Sequence, residues 1–137
     1  MVDAGRDKSL ATLAVVVPVK DEAENVLPLI EEIAAALEGV CVYEIVYVDD
    51  GSADGTPDRL LNAKTKFPNL RIVRHDGCFG QSQAIQTGVR HAGAPLIATL
   101  DGDGQNDPAD IPALLERFNT EGGSADARLM IAGWRAK

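Results

Sequence analysis

Two carboxylates one residue apart, Asp101 and Asp103, are followed by the carboxamide of Gln105 and stand directly after the apolar run Leu96-Ile97-Ala98-Thr99-Leu100. Their donors are oxygens and an amide, the kind of set that hard divalent cations such as Mg2+ or Mn2+ prefer. Mg2+ in particular is held by one or two carboxylates together with the phosphates of a substrate. The stretch Asp101-Gly102-Asp103-Gly104-Gln105-Asn106-Asp107-Pro108 therefore outlines a metal site, with a polar Asp/Gly turn as the plainer alternative. Further acidic pairs follow two other apolar runs: Asp21-Glu22 after Leu13 to Val19, and Asp49-Asp50 after Ile45 to Val48. Like charges gathered in one place need a compensating cation or hydrogen-bond donors.

The hydrophobic pattern supplies the elements that must carry these side chains. Leu13 to Val19 is almost continuously aliphatic, the signature of a strand buried on both faces of a parallel sheet. Val26, Ile30, Ile33 and Leu37 then recur at helical spacing, with Asn25 at the N-cap and Gly39 just past the end. Glu44 to Val48 predicts a second strand. Thr56-Pro57-Asp58 starts a second helix, with Pro at its first position, which runs to about Lys66 before Phe67-Pro68 stops it. Leu70 to Arg74 predicts a third strand, His75 to Gly80 a turn, and the next helix a close-packing face of Ala84, Ile85, Gly88, Val89 and Ala92. Leu96 to Leu100 reads as a fourth, buried strand, and Asp107-Pro108 caps a helix carrying Ile111, Leu114, Leu115 and Phe118. Leu129 to Ala132 reads as a fifth strand, whose open edge favours a homo-oligomer.

Strand-helix alternation repeated four times predicts an α/β doubly wound, mostly parallel sheet with helices on both faces. Right-handed crossovers bring every strand C-terminus to one edge, and ligands bind there at the point where strand order reverses. All three acidic pairs are thus expected around a single crevice. Residues 1–11 form a polar lead-in and residues 12–137 the domain.

Composition narrows the classes of function. The chain has 137 residues, 45% of them apolar, enough for one core. A net charge of −8 and only 4% aromatic residues argue against nucleic acid as a partner. An acidic protein that takes an anionic diphosphate needs a divalent cation to supply positive charge. Cys41 and Cys78 lie far apart without a CxxC pair, which argues against structural zinc or a disulfide scaffold and fits a reducing cytoplasm. The polar N-terminus lacks the core of a signal peptide, and no apolar run reaches the ~18 residues of a membrane span. No GxGxxG follows the first strand and no GxxxxGK[ST] occurs. Asp50 to Gly55 imitates the start of an EF-hand loop, but its twelfth position is Leu61 rather than Glu. Asp101-Gly102-Asp103-Gly104 shares the Asp-x-Asp-Gly signature of haloacid-dehalogenase-like phosphatases, in which it ends the first strand rather than the fourth. His75 and His91 have no partner in the sequence and read as surface or helix residues.

Taken in order, Pro18-Val19-Lys20-Asp21-Glu22-Ala23-Glu24-Asn25, Val48-Asp49-Asp50-Gly51-Ser52-Ala53-Asp54-Gly55-Thr56, Phe79-Gly80-Gln81-Ser82-Gln83-Ala84, the Asp101 to Pro108 stretch and Gly133-Trp134-Arg135 resemble successive motifs of family 2 glycosyltransferases. The similarity points to the polyprenyl-phosphate, dolichol-phosphate mannosyltransferase-like subgroup. It implies a Rossmann-like GT-A fold, of which this chain is the N-terminal nucleotide-binding part, truncated before the acceptor-binding part. It also implies an inverting transfer from a nucleotide-diphosphate sugar (a GDP- or UDP-sugar) to a lipid-phosphate acceptor, with divalent Mg2+ or Mn2+. By position, the resemblance places Pro18, Asp21, Glu22, Asp50, Ser52 and Asp101 at the nucleotide-sugar, with Asp50 reading the base. Asp101 and Asp103 become the DxD pair that holds the metal with Gln105, and Arg135 faces the acceptor phosphate, completing a catalytic set of Asp101, Asp103 and Arg135. Such an acceptor is already ionised and needs no general base. A lipid acceptor places the protein in the cytoplasm, peripheral at the cytoplasmic membrane face. The chain departs from the family pattern where Lys20-Asp21 replaces the aromatic-Asn common before the Glu. Gly102 and Gly104 stand for Ala and Leu, which implies a more flexible metal loop. A nucleotide-sugar-binding module without turnover is the alternative within the same resemblance.

Overall fold

β1 (Leu13–Val19) is buried at every position, as a strand must be when both faces of its sheet are covered. This computed structural model describes residues 11–104 and 106–121. Gln105, Trp134, Arg135 and the expected fifth strand at Leu129 to Ala132, with the oligomer edge it implied, lie outside the described residues. After β1 come α1 (Ala23–Leu37), β2 (Tyr43–Asp49), α2 (Thr56–Lys66), β3 (Leu70–Arg74), α3 (Gln81–His91), β4 (Leu96–Thr99), a 3-10 turn (Pro108–Asp110) and α4 (Ile111–Thr120). The four strands pair in parallel in the order β3-β2-β1-β4. Strand order therefore runs outward from β1 to β3 on one side and restarts with β4 on the other. The reversal lies between β1 and β4, the place where open α/β sheets take their ligands.

Alternate residues of the sheet face two separate cores. Leu13, Val15, Val17 and Val19, with Ile45 and Tyr47, pack under Val26, Ile30, Ile33 and Leu37 of α1, Leu60 of α2 and Ile111 of α4. On the opposite face Val16, Val46 and Val48 meet Ala84 of α3. The apolar stripe expected for α1 packs on the sheet, whereas of the stripe expected for α4 only Ile111 is buried, with Leu115 packed against the same core; three further expectations are also changed.

Asn25 does not cap α1. The helix begins two residues earlier, with Glu22 at its cap position, and the Asn25 amide donates to Glu22 Oε1 at 2.8 Å. The N–H groups at this start are served from the loop before α2 instead. Ser52 Oγ accepts from Asp21 N at 2.8 Å, Thr56 Oγ1 from Glu22 N at 2.9 Å and Asp54 Oδ2 from Ala23 N at 3.3 Å. Orphan donors satisfied from another loop need no local cap.

Val89 does not face the sheet and is 43% exposed; Ala84, Thr87 and Gly88 do. The helix pivots on Gly88, where a Cβ would stand 2.4 Å from Val16 Cγ1 and 3.2 Å from Val48 Cγ2. That contact turns the next residue, roughly 100° further round the helix, outward. Gly88→Ala is expected to destabilise the chain by about 1–2 kcal/mol in urea unfolding. The ~1 kcal/mol gain in helix propensity is outweighed by forcing a methyl against a fully buried valine.

Third, β4 is an edge strand among the described residues rather than a buried one, and its Ile97 and Thr99 are exposed. α3 lies over β1 and β2 and leaves that side of β4 uncovered.

Candidate functional site

The hydrogen-bond ladder between β1 and β4 stops before a proline. On β1, Val16 accepts from Leu100 N at 3.1 Å, while Val19 accepts from Asp50 N at 2.9 Å on the β2 side. Alternate residues serve alternate neighbours, so the next backbone donor toward β4 belongs to Pro18, which has no N–H. The β1–β4 pairing ends at Val16 and Thr99. A cavity of about 250 Å3 lies at this end of the sheet, lined by Pro18, Glu22, Asp50, Asp101 and Asp103 of the expected site. Lys20, Gln81 and Ala84, which fall within the motif stretches without having been singled out as site residues, line it as well.

Asp21 and Ser52 are not among the lining residues; they tie two loops together. Asp21 donates its N–H to Ser52 Oγ, and its Oδ1 accepts from Ala53 N at 2.7 Å. Its φ of +56° is uncommon outside glycine and is tolerated here by a short polar side chain with local partners. The Ala53 N–H is the main reason its carboxyl sits below the usual carboxylate value. Asp54 is lowered as well, first by the Thr56 hydroxyl and then by the Thr56 N–H. Asp49 also turns away from the cavity. It is buried under the first core, its Oδ1 accepts from Ser52 N at 2.9 Å, and its Oδ2 faces Arg74 Nε at 3.9 Å.

Asp50 is the most heavily bonded carboxylate of the group. Oδ1 accepts from His75 Nδ1 and from Phe79 N, each at 2.8 Å; Oδ2 accepts from Gly80 N at 2.9 Å and, weakly, from the Cys78 thiol at 3.5 Å. Burial alone would raise this carboxyl, but the donors from His75, Phe79, Gly80 and Cys78 together hold it below the usual value. The like-charge problem posed by the sequence is solved here by local donors. His75, which the sequence placed on the surface, is instead a buried partner in that solution.

Asp101 and Asp103 flank the open end of β1. Asp101 Oδ1 accepts from Gln81 Nε2 at 3.0 Å, and Asp101 N donates to Asn106 Oδ1 at 2.8 Å. Gly102 between them is a contact rather than a flexible joint. A Cβ there would lie 2.3 Å from Val19 Cγ1 and 2.9 Å from the Pro18 carbonyl oxygen. The chain leaving β4 thus presses on the end of β1, which brings the two carboxylates to the switch point. Among the described residues no group of three or more His, Cys, Asp or Glu converges on one point. Two carboxylates at one open cavity fit Mg2+ or Mn2+ held jointly with a substrate, rather than in an all-protein cage. Asp107, expected to cap the helix itself, caps the 3-10 turn before it, its Oδ1 accepting from Ala109 N at 3.0 Å, and α4 begins only at Ile111 with Asp110 at its cap position. No helix among the described residues is long and apolar enough to cross a membrane.

Over residues 14–132 the sequence matches Glycosyl transferase family 2. The chain belongs to that family. Membership removes the phosphatase alternative and accounts for a metal-type carboxylate pair at the fourth strand of a sheet without a dinucleotide fingerprint. Among curated family 2 relatives, a dodecaprenyl-phosphate galacturonate synthase of Rhizobium johnstonii is 41% identical over 131 residues, 90% of this chain and 36% of that protein. An undecaprenyl-phosphate 4-deoxy-4-formamido-L-arabinose transferase of Edwardsiella ictaluri is 38% identical over 112 residues, 80% of this chain and 34% of that protein. The chain thus spans about a third of the length of the curated relatives it matches. Among solved structures, the mannosyltransferase PcManGT from Pyrobaculum calidifontis, in complex with GDP-Man and Mn2+, superposes with a TM-score of 0.71 at 24% identity, covering 79% of this chain and 32% of that one. S. aureus TarS 1-349 in complex with UDP-GlcNAc gives a TM-score of 0.68 at 20% identity, covering 80% and 31%. At these identities the likeness shows the fold, which is GT-A.

Proposed function

We propose that this chain carries the donor site of an inverting glycosyltransferase that moves a sugar from a GDP- or UDP-sugar to a polyprenyl phosphate. The observation that supports it most is the convergence of Pro18, Glu22, Asp50, Asp101 and Asp103 on one cavity at the switch point of the sheet. The curated relatives are polyprenyl-phosphate sugar transferases, which favours this acceptor class.

In this reading the nucleoside lies between Pro18 and Asp50, with Glu22 beside it. Asp21 and Ser52 serve it indirectly, by holding the loop that presents Glu22. A base N–H is taken by Asp50 Oδ2, because Oδ1 already has two strong donors whereas one of the two on Oδ2 is a thiol. Asp101 and Asp103, with Gln105, are the residues that would hold Mg2+ or Mn2+. That cation supplies charge neutralisation for the departing nucleoside diphosphate. Gln81, by donating to Asp101 Oδ1, fixes the carboxylate and leaves its second oxygen for the cation. Arg135 is assigned to the acceptor phosphate, which a guanidinium suits through paired hydrogen bonds. An ionised phosphate attacks without giving up a proton, so no side chain has to act as base. A lipid-borne acceptor makes the protein peripheral at the cytoplasmic membrane face.

Cys78 offers a footprint of donor binding. Its thiol is exposed and 3.5 Å from Asp50 Oδ2. Cys41 is half-buried, with a thiol pushed up by that burial. A UDP- or GDP-sugar with Mn2+ is expected to slow iodoacetamide alkylation of Cys78 about tenfold at ten times its dissociation constant, leaving Cys41 unchanged. Unprotected Cys78 with every nucleotide-sugar offered would contradict the proposal.

A further inference from the structure

Recognition of a nucleoside by Asp50 leaves open what keeps that carboxylate turned toward the cavity. The backbone N–H groups of Phe79 and Gly80 bind it from one exposed loop. The third strong donor, His75 Nδ1 at 2.8 Å, comes from a side chain only 11% exposed. An ionised carboxylate can only accept, so Nδ1 carries the proton of this bond in either protonation state of the ring. The other ring nitrogen, Nε2, lies 2.8 Å from Thr87 Oγ1, whose single proton goes to Nε2 when the ring is neutral and to the Gln83 carbonyl, 3.0 Å away within α3, when Nε2 carries a proton of its own. The ring of Phe79 closes a further side, edge-on with centroids 5.3 Å apart. A ring held at both nitrogens and packed against Phe79 cannot reorient without breaking several contacts at once, and α3 itself is seated on the sheet through Gly88.

We propose that His75 is a positioning residue of the donor site: braced by Thr87, it fixes the Asp50 carboxylate so that Oδ2 is presented to the nucleoside. This rests on the donor-site reading above. A residue that only held the loop would affect every ligand of the cavity alike. A residue that orients the nucleoside's acceptor affects only ligands that contain a nucleoside, because preorganisation lowers the cost of that contact alone.

Calorimetric titration in Mn2+ with UDP, GDP and inorganic pyrophosphate separates the two. With His75→Leu, affinity for the nucleoside diphosphate that wild type prefers is expected to fall about tenfold, the loss typical of one charge-assisted hydrogen bond, while pyrophosphate affinity stays within about twofold. His75→Asn, whose amide can donate from near the Nδ1 position, is expected to recover most of the loss. Thr87→Val is expected to weaken the nucleoside diphosphate alone by about threefold. Equal losses for pyrophosphate and nucleoside diphosphate, no loss for either, or an Asn variant no better than Leu would overturn the assignment. If His75→Leu does not fold, the contrast between ligands in His75→Asn and Thr87→Val decides by the same criterion. A wild-type chain that binds no nucleoside diphosphate overturns the donor site and this assignment together. Wild-type binding with an unaffected His75→Leu overturns this assignment only.

Discussion

Replacing Asp50 by alanine is expected to lower stability at pH 7 by roughly 2–4 kcal/mol, read as a shift of the urea midpoint at unchanged slope. The carboxylate is 5% exposed and takes donors from His75, Phe79, Gly80 and Cys78. Each buried donor left unpaired costs about 1–3 kcal/mol. Phe79 and Gly80 are exposed residues whose N–H groups can turn to water, so the full sum is not lost; His75, almost enclosed, cannot do the same. Asp21→Ala, which removes an exposed carboxylate with one strong backbone donor, is expected to cost less than ~1 kcal/mol in the same measurement.

The pH dependence follows from the sign of the shift. Asp50 is lowered in the fold, so its stabilisation is fully present above its unfolded value near 4 and is lost as pH falls through the lower folded value. The gap between wild type and Asp50→Ala should therefore stay constant from pH 7 to about 5 and narrow below pH 4. Asp21 and Asp54 are lowered in the same direction and leave the Asp50→Ala variant with residual acid sensitivity. A gap that widened toward acid would refute the assignment of Asp50 as an ionised anchor.

The largest functional effect is expected from the carboxylate pair after β4. Asp101→Ala and Asp103→Ala should each weaken Mn2+-dependent binding of a nucleoside diphosphate by roughly 100-fold or more, beyond the 10–100-fold typical for residues that only support metal ligands. Gln81→Ala, which removes the donor to Asp101 Oδ1, belongs in that lower range. Melting temperatures of the Asp variants should stay near wild type. Asp103 is exposed and Asp101 half-buried, so their removal leaves no large cavity. The Asp50 and Asp103 variants thus separate the two ends of the site: one loses fold and ligand together, the other ligand alone.

Much of this arrangement was legible in the chain itself. Continuous aliphatic runs located β1 and β2, and Thr56-Pro57 and Phe67-Pro68 bounded α2, because these signals are local. The position of Asp101 and Asp103 at the crevice was legible because both directly follow an apolar run whose end lies at the switch point. What escaped notice depends on residues distant in sequence. The donors to Asp50 lie 25 to 30 residues away, so nothing beside His75 in the sequence marks it as a partner. The start of α1 is satisfied by Ser52, Asp54 and Thr56, which made the nearby Asn25 a misleading cap. Gly102 reads as freedom in one dimension and is close approach in three. Val89 fits an apolar face by spacing, yet the contact at Gly88 sets the rotation of the helix.

The central claim is that the crevice between β1 and β4 takes a nucleoside diphosphate together with a divalent cation. Calorimetric titration of UDP and GDP into the 137-residue chain, in Mn2+ and again in EDTA, tests it most directly, with Asp103→Ala alongside. One of the two nucleotides should bind in Mn2+ and lose roughly 100-fold or more in affinity in EDTA, and the same loss should appear in Asp103→Ala with Mn2+ present. Binding of equal strength in Mn2+ and EDTA, or undiminished in Asp103→Ala, would contradict the account.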